Sequence, residues 1–381
     1  MNILYLCHEY PPAKSGGVGI FTQEVAEAIV TKSHQNKVVI YSLVDGISSR
    51  VEHLKNGVHI IQEPRYKGLC GFIVNRVLSY FSLSEIIKEH QIELLEVQDF
   101  QGLLAFYPSL GIPTVTRLHG SVTYFQSLLG IKRWKDYVWR WLEQSQLKNA
   151  TDIVSVSHFT AQETKRLFSI KEEIPVIHNG ISCNFSCDVS NTQGDIRVFA
   201  YSGSLIAKKG IEELIDGWIA VGLINKNIEL WVFGKDIENR RRELEHRLAQ
   251  NGVTTVKFFG HVPKTELLRH YVNVDYCIFP SKAEAFSLAP MESMAMRKVV
   301  LYSDQTSAKE LIEDNIDGVL IAKCTPQAIQ EAIEYVLSEP VEKLEKMAIC
   351  GQQKIFQQFS VEKKVAENIM FYERVIQRYA P

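Results

Sequence analysis

The sequence predicts an α/β protein built from two doubly wound parallel-sheet domains in series. Three observations carry that expectation. The chain has 381 residues, and at about 100–200 residues per domain two domains are the natural division. Short β-rich runs alternate with stretches of helical periodicity along most of the length, the pattern of βαβ units whose parallel sheets are covered by helices. One segment, residues 178–195 (HNGISCNFSCDVSNTQGD), breaks the alternation with Asn, Ser, Asp and Gly, which favour turns over packed elements, and reads as the connection between domains.

In the first half the candidate strands are 2–7 (NILYLC), 38–43 (VVIYSL), 58–61, 93–97 (ELLEV), 113–117 and 152–156 (DIVSV), with a short one at 174–177. Residues 19–31 read as a helix with Phe21, Val25, Ala28 and Ile29 on one face. In the second half strands are expected at 196–201, 228–233, 255–259, 274–279, 298–302 and 318–321, and helix from about 326 to the end. There is no internal repeat and no low-complexity tract.

Composition excludes several classes. Hydrophobic residues make up 46% and charged residues 23%, ordinary for a globular protein with a sizeable core. The net charge of −2 and the absence of a charged tail give no field that draws the chain to nucleic acid. The opening MNILYLCHEY lacks a basic flank and reads as a first strand rather than a secretion signal. No apolar stretch is expected to reach the roughly 18 residues that a membrane-spanning helix needs. The seven cysteines are scattered, and only Cys183 and Cys187 lie close together. They read as buried free thiols of a reducing cytoplasm.

In doubly wound sheets ligands bind outside the carboxyl ends of the strands, so a cleft between two such domains is the expected site. The segment EAFSLAPME, residues 284–292, follows the strand at 274–279. Pro290 suits the first turn of a helix, where its missing N–H costs nothing. The amides of Phe286, Ser287, Leu288 and Ala289 then sit at a helix N-terminus, an anion site. A phosphate on those amides explains why the interval is uncharged, and Glu284 and Glu292 would accept hydrogen bonds from hydroxyls on either side of it. That arrangement describes a sugar nucleotide. The competing account is a loop charge at Glu284 and a helix-start preference at Glu292.

Three further loops occupy strand ends. In YSGSLIAKKG, residues 201–210, Lys208 and Lys209 stand just before a helix, where an ammonium can meet a diphosphate. At 4 Å and an effective dielectric of about 20 such a contact is worth on the order of 4 kcal/mol before desolvation. HEYPPAKSGGVG, residues 8–19, places Gly16, Gly17 and Gly19 between the first strand and first helix, where a backbone can approach a ligand. It is not the dinucleotide fingerprint, because Thr22 stands where the third glycine belongs. TRLHGS, residues 116–121, sets His119 at another strand end. For each of these loops the bland account is a solvated charge, a turn or a structural histidine. The chain has no D-x-D triplet, no H-E-x-x-H and no P-loop, so no bridging metal is expected and Lys209, the loop amides and a helix dipole would stabilise a leaving diphosphate.

Together SGGVG, G-S-x-x-x-K-K-G, H-N-G-I at 178–181 and E-A-F-S-L-A-P-M-E resemble the retaining glycosyltransferases of family 4, which have the GT-B fold of two Rossmann-like domains around a cleft. The resemblance runs in the same order over essentially the whole chain. It implies an N-terminal acceptor-binding domain at 1–185, a nucleotide-sugar-binding domain at 186–360, and a last helix within 361–381 that crosses back to the first domain. By resemblance Glu284 binds hydroxyls of the donor sugar and Glu292 the ribose. The amides of Phe286, Ser287 and Leu288 hold the distal phosphate beside Lys209, and Gly16 and Gly17 approach the diphosphate. His119 contacts the transferred sugar, and the base rests around Gly260, His261 and Val262. Ser204 stands where the family often has arginine, and Ala285 and Ser287 replace its usual glycines.

The implied function is a metal-independent enzyme moving a sugar from a UDP- or GDP-linked donor to a hydroxyl of a glycan or lipid-linked acceptor, with no cofactor, in bacterial surface polysaccharide or lipopolysaccharide assembly. Retention requires either a covalent carboxylate intermediate or same-face attack, and with no carboxylate placed for the first, same-face attack is preferred. Competing accounts are a sugar-nucleotide epimerase of similar fold, a non-catalytic nucleotide-sugar-binding subunit and a dinucleotide oxidoreductase. The expected location is the cytoplasm. Residues 69–83 and 131–142 are rich in apolar and aromatic side chains. Their first reading is packing within the N-terminal domain, and their second is peripheral contact with the inner face of the cell membrane.

Overall fold

The computed structural model describes residues 1–11, 16–33, 35–183 and 196–379. Residues 184–195 of the expected connection, Cys187 within it, and Pro12 to Ser15 of the N-terminal loop lie outside the described residues. The chain divides into two compact units, Met1–Ser182 with Val361–Pro381, and Cys183–Ser360.

The first unit contains β1 (Asn2–Leu6), α1 (Gly17–Lys32), β2 (Lys37–Val44), β3 (Val51–Lys55), β4 (Val58–Pro64), α2 (Gly68–Glu89), β5 (Leu94–Gln98), β6 (Thr114–Leu118), α3 (Val122–Leu128), α4 (Asp136–Asn149), β7 (Asp152–Ser155) and α5 (His158–Phe168). Its sheet has the order β3-β4-β2-β1-β5-β6-β7, parallel except where β3 runs antiparallel to β4. Alternation along β1 explains its continuous apolar run, since both faces are buried. Ile3 and Tyr5 join a core with Phe21 and Val25 of α1, while Leu4 and Leu6 join one with Leu83 and Ile86 of α2.

The second unit contains β8 (Arg197–Ser202), α6 (Ile211–Ile224), β9 (Ile228–Phe233), α7 (Arg241–Gln250), β10 (Val256–Gly260), α8 (Lys264–Tyr271), β11 (Tyr276–Phe279), α9 (Leu288–Ala295), β12 (Val299–Ser303), α10 (Ala308–Leu311), β13 (Val319–Ile321), α11 (Pro326–Ser338) and α12 (Val341–Gln358). Its six strands are all parallel, in the order β10-β9-β8-β11-β12-β13. The strand order reverses between β8 and β11, the switch point that opens a crevice in such sheets. Trp218 of α6 is fully buried beneath them, its indole N–H donating to Thr255 Oγ1 at 3.0 Å. Burial of a side chain of this size contributes about 1.5–3 kcal/mol.

The last helix, α13 (Val361–Tyr379), belongs to the first unit. Phe371, Tyr372 and Val375 enter the core that holds α1. A buried polar knot fixes it further. Arg117 of β6 forks onto Glu96 of β5 at 2.7 and 2.9 Å. Tyr372 donates to Glu96 Oε2 at 2.7 Å, and Arg117 also donates to Asn368 Oδ1 at 2.5 Å. The H-N-G-I motif packs under the same helix, with Val361 N–H donating to Ile181 O at 2.9 Å.

Several expectations are corrected. The segment 174–177 forms only an isolated bridge from Ser155 to Val176, because Pro175 has no N–H to extend a ladder. Strand β3 was not foreseen. Its residues are almost all exposed, so it carries no apolar alternation. Its signal is the turn Asn56-Gly57, both at positive φ, the pairing that closes a two-residue hairpin. The thiols divide: Cys7, Cys277 and Cys324 are buried, while Cys70 and Cys350 are exposed. Residues 69–83 and 131–142 pack inward only in part: Leu83 and Leu142 are buried, but several of the large apolar side chains face outward. Ile73 is 61% exposed, Phe81 64%, Trp134 74% and Tyr137 78%. Among the described residues, Cys70–Glu89 is also long and apolar enough to cross a membrane by length and composition, with 28% of it buried. Asn75, Arg76 and interspersed serines hid that length as a broken run.

Candidate active site

The predicted residues divide between the units. Gly16, Gly17 and His119 lie in the first; Ser204, Lys209, Gly260, His261, Val262, Glu284, Phe286, Ser287, Leu288 and Glu292 lie in the second.

In the second unit the loops after β8, β10 and β11 carry the candidates. After β8 a short 3-10 turn, Ala207–Lys209, ends at Gly210 with φ +72°. A Cβ at Gly210 would lie 2.0 Å from Pro280 O, so glycine lets this turn abut the loop after β11. Lys282 N–H closes the seam on Lys208 O at 2.8 Å. The result sets Lys209 Nζ on Glu284 Oε1 as an ion pair. Glu284 is buried. Burial opposes its charge, but Lys209 and Lys208 more than offset that, and its pKa is lowered. Glu284 is therefore an ionised, desolvated acceptor rather than a solvated loop charge.

Helix α9 begins as expected, with Ser287 as its N-cap, Leu288 first and Pro290 in the first turn. No side-chain hydrogen bond caps it, which leaves the start of the helix as an anion-receptive end. The Phe286 side chain faces inward against Phe359 at 5.8 Å, so only its backbone serves a ligand. At the other end of the motif Glu292 pairs with Lys264 Nζ at 2.7 Å. Lys264 was missed because it opens α8, far from the motif in sequence. A carboxylate offers about four lone-pair sites, so neither lysine exhausts its glutamate. Ser204 stays in the turn after β8, its carbonyl accepting from Tyr201 OH at 3.0 Å. Gly260 and His261 line a cavity of about 280 Å³ with Leu205, Gly234, Lys235 and Arg241. Val262 is not among the lining residues of that cavity.

In the first unit the glycine loop packs in part against its own chain. A Cβ at Gly16 would lie 2.3 Å from Glu9 Oε2, and one at Gly19 would lie 1.9 Å from Glu9 O. Those two glycines make room for Glu9 of their own loop. Gly17 alone is exposed with nothing near its Cβ position, and it remains the place where a ligand can approach this backbone.

His119 follows β6, edge-on to Phe21 at 4.9 Å. Burial and then the neighbouring Arg117 push its pKa down to about 3, so it acts as a neutral imidazole. Its backbone N–H donates to Asp99 Oδ1 at 2.9 Å. Asp99 follows β5 and was not foreseen, although its place just past a strand's carboxyl end is the signal used for the other loops. It is buried, and its Oδ2 has no hydrogen-bond partner among the described residues. Burial first and Glu143 second raise its pKa to about 8.

A raised carboxyl pKa means the folded state keeps a proton that the unfolded state has released. Stability from this group is fully present below the ordinary aspartate value of 3.8 and is lost as pH climbs through about 8. Asp99→Asn keeps the Oδ1 acceptor and cannot ionise. Its melting temperature is expected to hold across that window while the wild type falls, at up to about 1.4 kcal/mol per pH unit. Parallel melting curves against pH check this; identical slopes for the two proteins count against a protonated Asp99.

Residues 15–185 match the family described as Glycosyltransferase Family 4, and residues 187–354 match Glycosyl transferases group 1. An uncharacterized glycosyltransferase of Methanocaldococcus jannaschii is 22% identical over 88% of this chain and 97% of its own length. A capsular polysaccharide biosynthesis glycosyltransferase of Staphylococcus aureus is 26% identical over 55% of this chain and 58% of its own. Among solved structures, sucrose-phosphate synthase from Thermosynechococcus elongatus superposes with a TM-score of 0.83 at 16% identity, covering 99% of both chains. Anabaena HepE in complex with UDP-glucose gives 0.77 at 17%, covering 97% of this chain and 99% of that one. These structural likenesses are likenesses of fold.

Proposed function

The chain belongs to glycosyltransferase family 4 and has the GT-B fold, and on that premise we propose that it moves a sugar from a nucleoside diphosphate donor to a hydroxyl acceptor with retention. The observation that carries this reading is the 284–292 segment. Two carboxylates, each beside a lysine, flank an uncapped helix start. Peptide dipoles and Lys209 suit a diphosphate, and Glu284 and Glu292 suit alcohols to either side. The neighbour's UDP-glucose complex favours a sugar nucleotide over a dinucleotide, and the capsular glycosyltransferase favours transfer over epimerisation.

Retention follows from same-face attack, in which the leaving phosphate takes the acceptor proton. Glu284, paired with Lys209, is assigned to hydroxyl recognition rather than to nucleophilic attack. Neutral His119 orients a sugar hydroxyl without competing for that proton. The leaving diphosphate is stabilised by Lys209 and the α9 start in place of a metal, so turnover is expected to survive a chelator.

A thermal-shift screen against UDP, GDP and their sugars tests the donor assignment. A ligand at 100 times its dissociation constant stabilises the folded state by about 2.7 kcal/mol, enough to raise the melting temperature visibly. A flat response to every nucleotide and sugar nucleotide sinks the reading.

A further inference from the structure

A cavity of about 310 Å³ opens beneath the N-terminal half of α2, and none of the residues assigned above lines it. Leu6 and Leu43 place it at the carboxyl ends of β1 and β2, and Arg65, Lys67 and Arg76 face it against a single carboxylate, Asp45. No side-chain hydrogen bond caps the start of α2 at Lys67, so the positive end of a 22-residue helix adds to the same field. His8, also in the lining, accepts from Leu43 N–H on Nδ1 at 3.0 Å. Burial, Arg65 and Arg76 lower its pKa to about 4, so it is neutral and Nε2–H is its remaining donor. Arg76 spends one nitrogen on the carbonyls of Gln101 and Gly102, at 2.7 and 3.1 Å. Its buried Nε has no hydrogen-bond partner among the described residues. Cations, a helix start and a neutral N–H converge on a volume that holds a phosphate with a small polar group attached.

The outer side of the same helix is the reverse of an ordinary surface. Cys70, Ile73, Val74, Val77, Leu78 and Phe81 recur at helical spacing and are exposed, where a surface helix puts polar residues. The apolar face continues across Phe72 and Trp139, whose rings are 5.9 Å apart. There α4 and the residues before it expose Trp134, Tyr137 and Trp141, interleaved with exposed Lys132, Arg133 and Lys135. Aromatic and aliphatic groups fringed by bases complement an anionic lipid interface, into which the rings sink while the ammonium and guanidinium groups meet headgroups.

We propose that the first unit docks on an anionic lipid surface through the outer faces of α2 and α4, and that the cavity under α2 receives the phosphate of a lipid-borne acceptor. The word acceptor rests on the sugar-transfer reading; the docking does not.

Flotation of the full chain with phosphatidylcholine vesicles, with and without phosphatidic acid, tests it. The wild type is expected to float only with the acidic vesicles. Val77→Asp with Phe81→Asp is expected to stay at the bottom while keeping a thermal shift with glycerol 3-phosphate. Arg65→Gln with Lys67→Gln is expected to lose that shift and to bind acidic vesicles roughly 30-fold more weakly, the worth of two basic residues at such a surface. A wild type that never floats but shifts with glycerol 3-phosphate overturns the lipid assignment in favour of a soluble phosphate. Equal flotation with both vesicle types overturns the anionic docking surface, and a wild type with no thermal shift in glycerol 3-phosphate overturns the phosphate cavity. The nucleotide shift, read on the same variants, reports the second unit separately, so loss of the donor reading is not confused with loss of this one.

Discussion

Replacing Lys209 by alanine is expected to cut sugar transfer about 30- to 1000-fold, a loss of roughly 2–4 kcal/mol of transition-state stabilisation. This ammonium pairs with Glu284, and it has three N–H donors. Donor binding adds a second anion on its open side. As the sugar–phosphate bond breaks, negative charge grows on the diphosphate, and the attraction strengthens where it lowers the barrier. The effect therefore falls on kcat and kcat/KM together rather than on KM alone. A second consequence belongs to Glu284. Its lowered pKa depends first on Lys209 and then on Lys208, working against burial. Without Lys209 the carboxylate loses its main support and its pKa rises. Glu284→Gln separates the two effects. It keeps a carbonyl acceptor for hydroxyls, leaves Lys209 for the phosphate, and should lose less than the lysine variant. Steady-state rates with a saturating donor decide it, and a Lys209→Ala enzyme of near-wild-type rate removes the lysine from the mechanism.

The parts legible in the sequence share one property: their signal is local. Among the described residues twelve of the thirteen strands overlap the apolar runs named from the sequence, because most are buried on both faces and announce themselves. The exception, β3, is exposed and spoke only through Asn56-Gly57. At the site, Glu284, Pro290 and Lys209 were legible because a strand end, a helix start and a basic turn each have local grammar. Lys264 and Asp99 were not, since what matters about them is a partner brought by the fold, Glu292 in one case and His119 in the other. Gly16 shows the limit of that grammar. A glycine signals close approach, but the sequence does not say whether the approaching group is a ligand or Glu9 of the same loop. The exposed stripe of α2 misled by the same logic, since apolar periodicity fixes a face and not what covers it.

Glu96→Ala is expected to destabilise the first unit by about 3–5 kcal/mol, because it strands the buried guanidinium of Arg117. Arg117 and Glu96 are 1% and 4% exposed, so water does not screen the loss. Glu96 raises the Arg117 pKa against strong desolvation, and without it a cation sits among Tyr5, Asn368 and Tyr372 with hydrogen-bond acceptors but no counter-charge. Tyr372→Phe removes one hydroxyl from the same knot and should cost less, about 1–3 kcal/mol. Both lesions act on the attachment of α13, since Tyr372 and Asn368 are its anchors. Proteolysis within 361–379 should accelerate in the order Glu96→Ala, Tyr372→Phe, wild type. The knot also leads to the candidate site: the Arg117 guanidinium lies 5.3 Å from the ring centroid of Phe21, and Phe21 meets His119 edge-on. Loosening α13 therefore unsettles the histidine two residues beyond Arg117, and activity should fall at temperatures where the rest of the unit is still folded. Should Glu96→Ala keep the wild-type melting temperature and protease resistance, the pair does not repay its own desolvation, and the packing of Phe371, Tyr372 and Val375 alone holds the last helix.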